Sequence, residues 1–174
     1  MLASGRTDAG PRHLFLLVDF KQGSEALLDA VLAELGPLDP WLTSVRDGRL
    51  HPGRVTVVLS GKAPRDPVHR MRSRHVFLDG RIPDLDTIPD PLLVPIISAS
   101  WIRTVGPGLP AEGSPRDERL RSLVRRAHAQ GRIIRFWAAP DAPEAWTYQR
   151  RIGVDLINTD RPAPFNAFAR STSE

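Results

Sequence analysis

The chain has 174 residues, and its 41% hydrophobic and 25% charged content is typical of one globular domain with a buried core. It contains no cysteine, which excludes disulfides, thiolate nucleophiles and zinc–sulfur sites. The formal net charge of +4 is carried by arginines spread along the chain. This distribution favours a small anionic partner such as a phosphate and no nucleic acid.

The ends of the chain differ in composition from its middle, and predict a disordered lead over 1–13, a domain over 14–169 and a tail over 170–174. The lead lacks the apolar core of a signal peptide. The longest apolar stretch, Leu92–Ile102, contains Pro95 and is too short to cross a bilayer. We expect the chain as given to be soluble and any export signal to lie upstream. The sequence is compatible with more than one cellular compartment.

Six short apolar segments predict six strands, and each gives way to polar residues at its C-terminal end. Helices or turns separate them, the strongest helix running from the cap Ser114 to the stop Gly131. The predicted strands are Leu14–Phe20, Val55–Leu59, Val76–Leu78, Val94–Ile97, Ile133–Trp137 and Val154–Ile157.

The connections are also predicted. A helix follows the cap Ser24 and ends at Gly36, because glycine favours a helix stop. The other expected connections are a short amphipathic piece around Leu38–Val45, a loop over Pro83–Pro95, a helix over 142–151 and a short helix around Phe165–Ala169.

Alternating strands and helices of these lengths predict an α/β fold, a partial TIM (β/α) barrel of about six parallel strands. A complete barrel has eight units and typically about 250 residues, whereas 174 residues hold close to six. The first strand is almost wholly apolar, which predicts burial on both faces. In such barrels the chemistry lies at the C-terminal ends of the strands.

Two charged residues close the first predicted strand. Asp19 and Lys21 are two apart and therefore project to the same face, while Phe20 projects to the other. A carboxylate can bind a hard cation and an ammonium can neutralise a phosphoryl oxygen. A structural ion pair explains the same spacing equally well, so both interpretations stay open.

The other strand ends carry polar residues with simpler explanations. Arg135 and Trp137 share one face of their strand, where an arginine calls for an anionic partner and the tryptophan could pack on a ligand or fill the barrel. Asp79 and Arg81 are interpreted as a turn after the third strand. Ser98 and Ser100 are interpreted as polar rim residues. The histidines, at 13, 51, 69, 75 and 128, show no metal-ligand spacing and none follows a strand directly.

The order of these strand ends resembles the glycerophosphodiester phosphodiesterase and phosphatidylinositol phospholipase C-like superfamily of barrel enzymes. The resemblance spans about residues 14–169, and its last two segments are the most specific. The segments that carry it are "LLVDFK", "VTVVLSG", "VFLDGR", "PIISASW", "RIIRFWAAPD" and "GVDLINTDRP".

The resemblance implies a barrel that binds a divalent cation, calcium or magnesium, and cleaves phosphodiesters by acid–base chemistry. It implies that Asp19 is a metal ligand, that Lys21 contacts the phosphate and that Trp137 lies near the substrate. The family's first two strands carry His-Arg-Gly and Glu-x-Asp motifs, which do not precede Leu14 here. The predicted strands therefore correspond to strands three to eight, and the cation is expected to bind weakly because two ligands are missing.

We therefore expect the C-terminal part of a barrel that hydrolyses a glycerophosphodiester or another lipid-derived phosphodiester. As given, the chain should be weakly active or inactive, so whether it is an enzyme stays open. The alternative is a non-catalytic domain that binds a phosphorylated ligand or a protein partner through Lys21, Arg135 and Trp137. A membrane surface would be contacted only through a lipid substrate, and the open barrel edges predict self-association.

Overall fold

The computed structural model describes residues 13–171, which form two compact units. The N-terminal unit comprises 13–80 and 88–95, and the C-terminal unit comprises 81–87 and 96–171. Most of the predicted lead over 1–13 and the last residues of the tail over 170–174 lie outside the described residues. The expectation of disorder there stays a prediction.

The N-terminal unit is built around three parallel strands. Its helix α1 begins after Ser24, whose Oγ accepts a hydrogen bond from the Leu27 N–H, so the predicted cap is confirmed. The elements are β1 (Leu14–Phe20), α1 (Glu25–Leu35), a 3-10 helix (Gly36–Trp41), β2 (Ser44–Arg46), β3 (Arg49–His51), β4 (Val55–Gly61), α2 (Arg65–Arg70) and β5 (Val76–Gly80).

Strand β4 lies between β1 and β5, and both pairings are parallel. In the first pairing Asp19 lies opposite Ser60, and in the second Leu59 lies opposite Leu78. The middle of β4 is buried, since Val57, Val58 and Leu59 are at most 1% exposed. This register decides which side chains meet at the C-terminal ends of the three strands.

The prediction that β1 is buried on both faces is wrong. Leu14 and Leu16 are 57% and 42% exposed, while Phe20 on the same face is 2% exposed. Among the described residues β1 pairs only with β4. An edge strand has fewer neighbours to cover its outer face, so its apolar sequence does not imply burial.

The amphipathic piece expected around Leu38–Val45 is also not one element. The 3-10 helix ends at Trp41, and β2 then pairs with β3 as an antiparallel hairpin. Asp47 and Gly48 close this hairpin with φ of 50° and 72°. Both central residues of a tight type I′ turn need positive φ, which Asp-Gly supplies. The Asp47-Gly48 dipeptide is a sequence signal for this hairpin, which was not among the predicted elements.

The C-terminal unit contains three more parallel strands, of which β7 lies between β6 and β8. The loop predicted over Pro83–Pro95 contains one helical turn, as expected. The elements are α3 (Asp84–Thr87), β6 (Ile96–Ser100), α4 (Trp101–Val105), α5 (Pro115–Ala129), β7 (Ile133–Trp137), α6 (Pro143–Ile152), β8 (Leu156–Ile157) and α7 (Pro162–Ser171).

Strand β8 is shorter than the predicted segment Val154–Ile157. The Asp155 carboxylate accepts a 2.8 Å hydrogen bond from the Ile134 N–H, and the Asp155 N–H donates to the Ile134 carbonyl. The Asp155 side chain thus accepts a hydrogen bond that a backbone carbonyl would accept in a regular parallel ladder. Regular pairing with β7 begins only at Leu156.

Helices α5 and α6 are joined by a buried hydrogen-bond network centred on Asp117, which is 2% exposed. Its carboxylate accepts hydrogen bonds from the Tyr148 hydroxyl (2.5 Å), the Gly113 N–H (2.9 Å) and the Arg121 Nε–H (3.0 Å). The hydrogen bond from Tyr148 contributes most to lowering the pKa of Asp117 to about 2, and those from Gly113 and Arg121 lower it further. Burial of the Tyr148 hydroxyl is the largest cause that raises its pKa, and the hydrogen bond to Asp117 is the second. The carboxylate is therefore held charged inside the unit.

The predicted fold class is confirmed in each unit, because three parallel strands alternate with helices in both, as in part of a TIM barrel. The longest element is α5, with 15 residues. None of the helices in residues 13–171 is both long and apolar enough to pass through a bilayer.

Replacing Tyr148 by Phe should lower the free energy of unfolding at neutral pH by about 1–3 kcal/mol, because a buried charged acceptor loses a donor. The Asp117 pKa is below its unfolded value of 3.8. The contribution of the charged Asp117 carboxylate to the free energy of unfolding is therefore complete above pH 4 and is lost as pH falls towards 2. The stability difference between wild type and Y148F, measured by urea unfolding, should shrink over that range.

The same substitution in an Asp117→Asn background serves as the control, since the carboxylate no longer titrates. There the effect of Tyr148→Phe should not vary between pH 4 and pH 2. A pH-independent effect in the wild-type background would contradict the assigned role of this hydrogen bond.

The exposed edge of β1 predicts self-association at high protein concentration, because unpaired apolar strand edges template further pairing. Leu14→Lys and Leu16→Lys should each shift the population towards monomer in sedimentation velocity. Leu27→Lys is the matched control, since Leu27 is 42% exposed but lies on α1. A wild-type monomer at every concentration would count against association through this edge.

Candidate functional site

Asp19 and Lys21 form an ion pair at the C-terminal end of β1, in which Lys21 Nζ donates to Asp19 Oδ2. Their side chains are 50% and 84% exposed, while Phe20 between them is buried. The prediction that the two charges share a face and Phe20 takes the other is confirmed. A pair this exposed contributes little to stability, about 0–1 kcal/mol at most.

Two further polar side chains lie at the ends of the neighbouring strands. Ser60 is the register partner of Asp19, and its Oγ donates a 2.5 Å hydrogen bond to Asp79 Oδ2. Asp79 is 4% exposed and belongs to β5 together with Gly80. The interpretation of Asp79 as a simple turn residue is therefore wrong, because the Ser60 hydroxyl helps to hold its carboxylate inside the strand end.

Asp19, Ser60 and Asp79 thus form one row across β1, β4 and β5, which we call the strand-end row. Adjacent strands lie about 4.8 Å apart, so the Cα atoms of the two aspartates are roughly 10 Å apart with Ser60 between them. Side chains in register on parallel strands project to the same face. The row presents carboxylate and hydroxyl oxygens on that face, with the Lys21 ammonium at one end.

The donors of this row are all oxygens, which is the ligand chemistry that Ca²⁺ and Mg²⁺ prefer. Within residues 13–171 there is no group of three or more His, Cys, Asp or Glu side chains that could hold a metal ion. Mg²⁺ is commonly bound by one or two carboxylates, with water and substrate phosphates completing its shell. The row does not form a full protein cage, so a cation bound there would need water or a substrate to complete its shell.

In the C-terminal unit, Arg135 is oriented by two uncharged acceptors. Its Nε donates to Ser98 Oγ at 2.8 Å and its Nη1 donates to Asn158 Oδ1 at 3.4 Å. Ser98 is 1% exposed and lies on β6, while Asn158 follows β8. Ser98, expected to be a rim residue, therefore acts as a buried support for the guanidinium.

Trp137 lies at the end of β7, two residues after Arg135, and is 38% exposed. Phe136 between them is fully buried and packs edge-to-face against Trp101. The shared face predicted for Arg135 and Trp137 agrees with this alternation. The Trp137 ring is partly covered and partly accessible, and both roles left open for it stay predictions.

The loop after β7 contains a supporting aspartate that the sequence did not single out. Asp141 accepts hydrogen bonds from Thr159 Oγ1 (2.7 Å), the Asp160 N–H (2.8 Å) and Trp146 Nε1 (2.9 Å). Burial raises the pKa of Asp141, but these hydrogen bonds outweigh it and the net pKa is lowered. The carboxylate joins the segments that follow β7 and β8.

The predicted site residues therefore form two sets, each within its own unit. Asp19 and Lys21 meet Ser60 and Asp79 at the strand-end row. Arg135 meets Ser98 and Asn158, with Trp137 two residues along the strand. A signal for Ser60 and Asp79 was present in the sequence, since both are polar residues at the ends of apolar strands.

The N-terminal unit also has a cavity of about 510 Å³ at the amino-terminal side of β5. It is distinct from the strand-end row, which lies at the carboxyl ends of the strands. Its lining residues are Leu32, Asp39, Ser44, Arg46, Met71, Ser73, Arg74 and His75.

The comparison with protein families gives one match. Residues 4–79 match the sequence model of the AIM6-like phosphodiesterase domain, a region that ends at Asp79 and includes Asp19, Lys21 and Ser60. Searches of curated proteins and of solved structures gave no match. The family match supports a phosphodiesterase-like domain in this chain.

Proposed function

We propose that the strand-end row binds a phosphodiester together with a divalent cation, and that it is part of a metal-dependent phosphoric diester hydrolase. The observation that carries the proposal is the Asp19–Lys21 pair at the end of β1, inside the region that matches a phosphodiesterase-like domain. The pair adds little stability, so a role in binding explains its presence at a strand end better than folding does.

Lys21 is proposed to neutralise a non-bridging oxygen of the phosphodiester. Its side chain is 84% exposed, so an incoming anion can reach the ammonium. Asp19 is proposed to bind the cation, calcium or magnesium, whose chemistry there is Lewis-acid activation of the phosphoryl group. Within the C-terminal unit, Arg135 is proposed as a residue that can bind a phosphate oxygen, and Trp137 as one that can pack on an organic group.

The finer assignment is that the chain corresponds to strands three to eight of a glycerophosphodiester phosphodiesterase or phospholipase C-like barrel. It is supported by the segment order in the sequence and by the three parallel strands in each unit. The proposed substrates are glycerophosphodiesters and similar lipid-derived phosphodiesters.

Turnover is proposed to be slow, since no histidine lies at the carboxyl end of any of the six parallel strands in residues 13–171; His51 ends β3 of the antiparallel hairpin instead. His13 precedes β1 and bonds Thr56 Oγ1, and His128 on α5 bonds Asp155. A missing general acid–base lowers a rate by roughly 10²–10⁴-fold.

The same observation favours the second candidate, a non-catalytic domain that binds a phosphorylated ligand. Titration calorimetry with glycerophosphocholine in the presence of Mg²⁺ or Ca²⁺, combined with an assay for released glycerophosphate, separates the two. Binding with cation-dependent release supports the hydrolase, and binding without release supports the binding domain. The absence of both binding and release would contradict both candidate functions.

Asp19→Asn should weaken cation binding and Lys21→Met should weaken phosphodiester binding, each by on the order of 10²-fold, since each removes a charge that faces the ligand. Calorimetry of each variant with the cation and then with the phosphodiester measures the two effects.

The chain offers matched controls for both variants. Asp29→Asn changes an exposed aspartate on α1, and Lys62→Met changes the only other lysine, whose backbone N–H is unaffected. Both controls should bind like wild type. Equal losses in Lys21→Met and Lys62→Met would show a general charge effect and would contradict a site at Lys21.

A further inference from the structure

The chain reverses tightly where β4 ends, directly beside the Asp19 carboxylate. Gly61 is the last residue of β4 and has φ of +69°, in the left-handed region. The next residue, Lys62, donates its backbone N–H to the Phe20 carbonyl at 2.7 Å. The turn therefore fixes the backbone between Asp19 and Lys21 from the β4 side.

There is no room for a side chain at Gly61. A Cβ built there would lie closer than 3.0 Å to Asp19 Oδ1 and to the Phe20 carbonyl oxygen, a separation that real Cβ atoms essentially never show. The carbonyl belongs to a paired strand and cannot move away easily. Movement of the Asp19 carboxylate would relieve only the overlap with Oδ1, so a side chain at position 61 would displace both the carboxylate and the backbone of the turn.

Each carboxylate oxygen of Asp19 thus has its own neighbour. Oδ1 lies against the bare Cα of Gly61, and Oδ2 accepts the hydrogen bond of Lys21 Nζ. The buried ring of Phe20 and its bonded carbonyl anchor the backbone that carries both charges. Without the space above Gly61, the Asp19 carboxylate could not keep this orientation and would have to take another rotamer.

We propose that Gly61 is a positioning residue, because its lack of a side chain leaves the space in which the Asp19 carboxylate takes the orientation that the cation and phosphodiester require. Its effect on binding and turnover rests on the proposed function, whereas its effect on the carboxylate does not. A displacement of about 1 Å at a reacting centre can cost on the order of 10²-fold in rate. Any side chain at position 61 should cause such a displacement.

Gly48 provides the matched control in the same unit. It also has positive φ, +72°, but a Cβ there would meet nothing within 4 Å. Gly48→Ala therefore reproduces the backbone strain without the overlap. Asn tolerates positive φ better than Ala does, so Gly61→Asn relieves much of the strain and keeps the overlap.

The test measures the ¹³C resonance of the Asp19 carboxyl carbon by NMR, cation affinity by calorimetry, and the midpoint of thermal unfolding. Gly48→Ala should lose roughly 2–4 °C through strain, and Gly61→Ala should lose more, because its Cβ also overlaps the Phe20 carbonyl. Gly61→Ala and Gly61→Asn should both shift the Asp19 resonance and weaken Mg²⁺ binding at least tenfold. Gly48→Ala and Gly48→Asn should leave both unchanged.

An Asp19 resonance that is unchanged in both Gly61 variants, or that shifts equally in Gly48→Ala, would overturn the inference. If wild type binds neither cation nor phosphodiester, the proposed function fails, and the resonance still decides the role of Gly61. If wild type binds both and Gly61→Ala binds as well as Gly48→Ala does, the inference fails while the proposed function stands.

Discussion

The parallel register of β1, β4 and β5 is the constraint on which the candidate site depends. It places Asp19 opposite Ser60, and Ser60 beside Asp79, although the three residues are far apart in sequence. A slip of one residue would turn the Asp19 and Lys21 side chains towards the side that Phe20 now occupies. The buried Phe20 ring opposes that slip, since a charged pair cannot replace it without a large desolvation cost.

In each unit, neighbouring groups support a charged side chain. In the N-terminal unit, Gly61 and Lys62 fix the backbone and the carboxylate around Asp19. In the C-terminal unit, Ser98 and Asn158 orient the Arg135 guanidinium. Both charged groups are thus positioned by residues from other elements of their own unit.

Much of the fold could be predicted because its signals are local. The apolar strand segments, the Ser24 and Ser114 caps and the shared face of Asp19 and Lys21 follow from propensity, capping chemistry and the twofold period of a strand. Each depends on residues close together in the chain.

The features that were missed depend on tertiary neighbours. The exposure of Leu14 and Leu16 reflects the edge position of β1, which the strand's own sequence does not reveal. The burial of Asp79 follows from pairing with β4 and from the Ser60 hydroxyl. The early end of regular pairing at β8 follows from the Asp155 carboxylate taking the Ile134 N–H. The contact between Gly61 and Asp19 joins two strand ends that only the folded sheet brings together.

The central claim is that the strand-end row binds a phosphodiester with a divalent cation. The most direct measurement is an NMR titration of the labelled chain with glycerophosphocholine and Mg²⁺, following every assigned residue. The account predicts saturable shifts that occur together at Asp19, Lys21, Ser60 and Asp79. Shifts confined to other surfaces, such as the cavity beside His75, or no saturable shift at all, would contradict it.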